Sequence, residues 1–268
     1  MRRITGYRRY GLLLSMLLVT ACKKVINVDL KNATPQIVIE GNITDAPGVH
    51  TVLISKTVDF SADNTYPPVT DAIVTITDST SHVTEQLRQA DSGVYITDKI
   101  IGSPNHTYYL NVYEGNKVYS ANSTMPFPVS LDSISFAENV GFNNKEEINA
   151  IANFQDPVGI ANYYWFTEVI NNRQIPDIFV FEDRLSDGRF IEYPLYNDSS
   201  YLNPGDTLLL TMNCVDENTY NYFNTLINVT GGNNFQAVTP ANPVTNLTNG
   251  ALGYFSAHTT QEASIVVY

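Results

Sequence analysis

Apolar and polar residues alternate in short runs along most of this chain, the period of half-buried strands. In the first half the runs fall at 36–43, 49–56, 72–77, 82–87, 94–96, 108–113 and 118–121. Between them stand turn formers such as Pro47-Gly48, Asp91-Ser92-Gly93 and Glu114-Gly115-Asn116, which supply fixed or positive φ. In the second half, strand character returns at 132–136, 148–154, 162–170, 178–181, 190–195 and 207–215, and again at 250–257 and 263–268. One segment departs from this period. From 217 to 228, Tyr220, Phe223, Leu226 and Ile227 follow helical spacing, with Asp216 placed to cap the start and Gly231-Gly232 to stop it. The pattern predicts an all-β protein of two tandem antiparallel β-sandwich domains, the second carrying one short helix. Pro126 and Pro128 favour a stiff extended link, which sets the expected boundary between domains 35–125 and 126–268.

The N-terminus follows another logic. Arg2, Arg3, Arg8 and Arg9 precede a short apolar run at 11–19, and Val19-Thr20-Ala21-Cys22 then reads as a lipobox. The run is far shorter than the ~20 residues needed to cross a bilayer, so 1–21 is expected to be a cleaved signal peptide. Cys22 would become the first mature residue and carry the acyl chains, palmitate-type lipid that anchors the protein. Residues 22–34 would form a tether.

Charge narrows the partners. The chain holds 15 Lys and Arg against 27 Asp and Glu. Loss of 1–21 removes four arginines, leaving 11 basic residues and a net charge of −16 by the same count. Such a surface repels nucleic-acid phosphates and anionic lipid, so membrane attachment is expected through Cys22 alone. With Cys22 lipidated, Cys214 is the single remaining thiol, set in the apolar run 208–215 and expected to be a buried small residue.

No arrangement of residues specifies a reaction. His50, His82, His106 and His258 form no close ligand pair, and neither a G-x-S-x-G elbow nor a glycine-rich nucleotide loop occurs. Asp156, Glu168, Glu182, Asp183 and Glu192 offer carboxylates of the kind a glycosidase uses, but acids are abundant throughout. Asp183 and Asp187, with carbonyls of the loop 183–188, form a calcium candidate made of hard oxygens; Arg184 and Arg189 stand beside them and could neutralise them instead. The strand 162–170 is the densest in aromatics, and Tyr163 and Trp165 could either pack internally or meet a ligand. Tyr193, Tyr196 and Tyr201 flank the turn-rich stretch 197–200 and could form a binding rim for a glycan or a protein.

Several segments together resemble one family: 22–30, 37–44, 54–57, 183–188 and above all Leu247-Thr248-Asn249-Gly250-Ala251-Leu252-Gly253-Tyr254-Phe255. The chain resembles, over most of its mature length, the Bacteroidota lipoproteins known as domain of unknown function 4249. The resemblance implies an envelope lipoprotein, in some cases near TonB-dependent outer-membrane receptors, and supplies no catalytic residues. The stretch 68–76 is similar to transthyretin-like modules attached to carboxypeptidases and receptors, although Asp71 stands where those often have Gly. The first sandwich is therefore expected to be transthyretin-like or immunoglobulin-like. Lys23 and Lys24 occupy the place of the acidic residues that usually mark surface export in this phylum, so the periplasmic face of the outer membrane stands beside the cell surface as a destination. The expected function is non-enzymatic: an accessory, partner-binding lipoprotein of TonB-dependent nutrient uptake. A carbohydrate-binding lipoprotein is the alternative, and a glycan hydrolase a further one.

Overall fold

A computed structural model describes residues 34–58, 65–140, 146–196, 202–230 and 242–268. The expected signal peptide 1–21, Cys22, the expected tether up to residue 33, the stretch 197–201 with Tyr201, and Gly231-Gly232 lie outside the described residues.

The alternating runs become strands. In the first half these are β1 (Ile37–Thr44), β2 (Thr51–Lys56), β3 (Ile73–Asp78), β4 (Val83–Gln86), β5 (Arg88–Asp91), β6 (Val94–Ile96), β7 (Thr107–Glu114) and β8 (Lys117–Thr124). The second half supplies β9 (Ser133–Val140), β10 (Glu146–Gln155), β11 (Tyr163–Ile170), β12 (Arg173–Gln174), β13 (Phe179–Glu182), β14 (Phe190–Leu195), β15 (Thr207–Val215), the helix α1 (Glu217–Thr230) and β16 (Leu252–Val266). The all-β expectation with one helix holds. Asp216 caps α1 as its position predicts, its Oδ1 accepting the Thr219 N–H at 2.9 Å.

Two expected elements differ. The run 82–87 is not one strand: β4 pairs with β3 and β5 with β6, so the chain changes sheets at the buried Leu87. The two final runs are one strand, because the polar residues between them find partners within it and on the neighbouring β15. The Ser256 hydroxyl meets His258 Nδ1 at 3.0 Å, and the Thr260 hydroxyl donates to Asn213 Oδ1 at 3.0 Å.

The described residues form three sheets. A nine-stranded sheet runs β12-β11-β15-β16-β1-β2-β6-β5, with β13 also on β11. Two smaller sheets, β4-β3-β7-β8 and β14-β10-β9, complete the β structure. The ladders are antiparallel except β1 with β16, which is parallel from Val38↔Leu252 to Thr44↔His258. The first part of β16 thus pairs with β1, and its later part, Thr259 to Val266, with β15.

Side-chain alternation along β16 places both hydrophobic cores on one face of the large sheet. Phe255 and Ala257 enter a first core with Ile39, Ile43, Val52, Ile76 and Leu110. Ala263 and Ile265, on the same face, pack on a second core of Phe154, Tyr164, Phe166, Leu208, Leu210 and Met212. The proline-rich stretch 125–132, outside any strand, passes between them, with Met125 in the first core and Val129 in the second. The opposite face of β16 carries Tyr254, which with Tyr222 and Phe223 of α1 forms a third cluster against Trp165. Ser123 of β8 joins these parts: its hydroxyl donates to Asp216 Oδ2 at 2.7 Å and accepts the Ala257 N–H at 2.8 Å.

Gly253 permits the β1–β16 approach. Its φ is +95°, and a Cβ there would lie 2.0 Å from the Ile39 carbonyl oxygen, so only glycine fits.

Candidate functional site

Two loops come together at one end of the second core. The first, 156–162, connects β10 to β11; the second, 183–189, connects β13 to β14. The antiparallel register of β10 with β14 ends at Gln155↔Phe190, which sets Asp156 opposite Arg189 and lets its N–H donate to the Arg189 carbonyl at 3.0 Å. Gly188 has φ +68° and lies so close to Val158 that a Cβ would come within 2.8 Å of the valine Cβ. The Gly159 N–H donates to Asp187 Oδ1 at 2.7 Å.

This packing gathers three carboxylates, Asp156, Asp183 and Asp187, each with an oxygen within 4.8 Å of the other two. Asp156 is buried; it accepts the Tyr164 phenol at 2.5 Å and the Gly188 N–H at 3.0 Å. Asp183 is 3 % exposed, and its Oδ2 is buried without a hydrogen-bond partner. Burial pushes the Asp183 carboxyl up; backbone hydrogen bonding from Asn162 opposes this, and the charges of Asp156 and Asp187 push it further up. The arginines expected to neutralise the loop do not. Arg184 pairs with Glu182 at 2.9 Å, and among the described residues no ion pair reaches the three aspartates.

Beside this cluster a groove of about 570 Å³ opens between the two cores. Pro126, Phe127, Pro128, Pro157, Ile160 and Tyr163 line it, with Asp216 and Glu217 at its margin. Phe127 is 63 % and Ile160 58 % exposed, and the loop tips Val158 and Leu185 are more exposed still. Phe127 and Ile160, this open to water on a concave surface, are the usual sign of a contact area rather than of a core.

The tyrosines and tryptophan considered from sequence do not share one surface. Tyr163 is half-buried and lies against Tyr220 of α1, ring centroids 5.2 Å apart. Trp165 is half-buried beneath α1, stacked on Phe223 at 4.3 Å with its edge toward His258. Tyr193 turns its ring onto Phe166 and Phe181, on the other face of β11, and donates its hydroxyl to the Val180 carbonyl at 3.0 Å. Tyr196 is exposed.

The nucleophile and base types lie inside. Cys214 is fully buried, its thiol pushed up by burial, with the Val129 N–H donating to Sγ at 3.3 Å. Ser256 and His258 touch but are both buried, and burial lowers His258 to about 4. Both side chains are almost wholly shielded from solvent.

Sequence reading identified Asp183 and Asp187 but not their grouping with Asp156. That grouping depends on β10 pairing with β14 rather than with β11, which alternation alone does not reveal. The apolar groove was not anticipated either; its one sequence signal is Phe127, a large apolar residue between two prolines. Among the described residues no helix is long and apolar enough to cross a membrane. A search of curated proteins finds no match. The family model described as domain of unknown function (DUF4249) matches residues 23–264. A match over that span, which takes in both cores, both loops and nearly all of β16, places this chain in the DUF4249 family.

Proposed function

We propose that this protein is a non-enzymatic lipoprotein of the cell envelope that docks a protein partner, and that the partner is an outer-membrane receptor of the TonB-dependent kind. The observation that carries the docking role is the open apolar groove, with Phe127 and Ile160 presented to solvent. The lipobox at 19–22 supports the anchor, and the strongly acidic composition argues against nucleic acid as the partner. Receptor association is what the family resemblance implies.

The test is mild crosslinking of the lipidated protein in its native outer membrane, followed by pull-down and mass spectrometry. A receptor recovered in stoichiometric amount, and lost on Phe127→Asp or Ile160→Asp without a change in thermal stability, supports the reading. No reproducible partner, or a partner retained by both variants, overturns it. Cys22→Ala should abolish incorporation of labelled fatty acid and release the protein from the membrane fraction; a variant that stays anchored refutes the lipid assignment.

A further inference from the structure

We infer that Asp156, Asp183 and Asp187 form a binding site for one calcium ion, which ties the loop 156–162 to the loop 183–189. Three carboxylates, each with an oxygen within 4.8 Å of the other two, carry up to three negative charges with no cationic side chain in ion-pair contact among the described residues. Acidic clusters on open surfaces are common and signify little. This one differs because Asp183 is almost wholly buried and its Oδ2 has no partner. A buried carboxylate oxygen left without a donor is costly, and a bound cation would satisfy it.

The donor set and the irregularity of the loops point to the ion. All three side chains offer hard oxygens, which suit calcium, magnesium or manganese and not the softer zinc or copper. Calcium accepts irregular sets of six to eight oxygens at about 2.3–2.6 Å, as two loops meeting side by side would offer, whereas magnesium at about 2.1 Å demands a near-ideal octahedron and gives up its water reluctantly. Asn162 adjoins Asp183 across the two loops. The Asn162 carbonyl accepts the Asp183 N–H at 3.2 Å, and the Asn162 side-chain Oδ1 is buried without a partner. Asp187 is exposed and gives the ion a route in and room for water ligands. The Tyr164 phenol and the Gly159 and Gly188 N–H groups already hold the Asp156 and Asp187 carboxylates in place, so part of the ordering is complete before the ion arrives. This inference stands apart from the docking role, since a calcium clamp on these loops needs no partner.

The experiment is calorimetric titration of calcium chloride into the chelator-treated protein, paired with thermal melts at 0 and 5 mM calcium. The wild type should bind one calcium with a dissociation constant of about 1 mM or tighter, as extracellular calcium modules do. Its melting temperature should rise on addition, while magnesium at the same concentration moves it much less. Asp187→Asn keeps the acceptor for the Gly159 N–H but should weaken binding about tenfold or more. Asp183→Asn should abolish the calcium response and, without calcium, melt no lower than the wild type, because it removes a buried charge repelled by two neighbours. A calcium response that persists in both variants places the ion elsewhere and overturns the assignment. So does a wild type with no heat of binding and no thermal shift. An Asp183→Asn protein that melts well below the calcium-free wild type overturns it too, because Asp183 would then be held by the fold itself.

Discussion

His258 makes the stability of this protein depend on pH in a calculable way. Its imidazole is buried between β1 and the aromatic cluster under α1, touching Ser256 and the edge of Trp165. Burial, and secondarily the nearby His50, lower it from 6.5 to about 4. A folded value below the unfolded one means that the unfolded chain takes up the proton first. The neutral histidine therefore contributes fully above pH 6.5, and stability is lost as pH falls from there toward 4. Linkage with these two values gives a loss of about 0.2 kcal/mol at pH 7 and about 2 kcal/mol at pH 5. His50 acts in the same direction, lowered mainly by burial and opposed by the Glu85 charge. Glu40 and Asp183, raised by burial, act in the opposite direction. Those groups are common to the wild type and a His258→Gln variant, so the difference between the two proteins isolates one histidine. Urea unfolding followed by Trp165 fluorescence at pH 7, 6 and 5 provides the measurement. The variant starts less stable, but its stability should fall by about 2 kcal/mol less than that of the wild type between pH 7 and pH 5. Parallel pH dependences in the two proteins would falsify the reasoning.

Other substitutions test separate parts of the structure. Gly253→Ala sets a Cβ against the Ile39 carbonyl at positive φ and should cost more than about 3 kcal/mol, or prevent folding altogether. Gly48→Ala, at φ +138° with open space around it, should cost about 1 kcal/mol in the same urea assay. Glu85→Ala removes the carboxylate that accepts the N–H groups of Asp98, Lys99 and Ile100, and should lower unfolding free energy by about 2–4 kcal/mol; an unchanged midpoint would show that water replaces it freely. Trp165→Ala should cost about 3–5 kcal/mol and reduce helical circular dichroism, because α1 rests on that ring through Phe223.

What the chain reveals by inspection follows from how local each feature is. Strands such as β14 and β15 were legible to the residue because their alternation and flanking turns lie within a few positions. The helix was legible for the same reason: a capping aspartate and four apolar residues at helical spacing. The continuity of β16 was not, since 258–262 are polar and become strand only where Asn213 and Asp45 supply partners from distant segments. The break between β4 and β5 was hidden similarly, because Leu87 is simply one more apolar residue until two sheets compete for its neighbours. At the site, two of three carboxylates share a loop and could be seen together. The third lies 27 positions earlier than Asp183 and joins them only through strand pairing.

The place of β16 in the large sheet also sets the order of events in folding. It is made after every other described strand, yet each core needs it: Phe255 and Ala257 complete one, Ala263 and Ile265 border the other. Its pairing of Leu252 with Val38 closes a loop of 214 residues, a contact that costs entropy before anything rewards it. A chain emerging from a pore with its N-terminus first would hold both half-built cores open, with β1 and β15 exposing unpaired edges, until the last strand arrived. Folding would then be slow and largely all-or-none. During that interval the exposed edges would invite pairing with other chains, so holdase chaperones should matter more for this protein than its small size suggests.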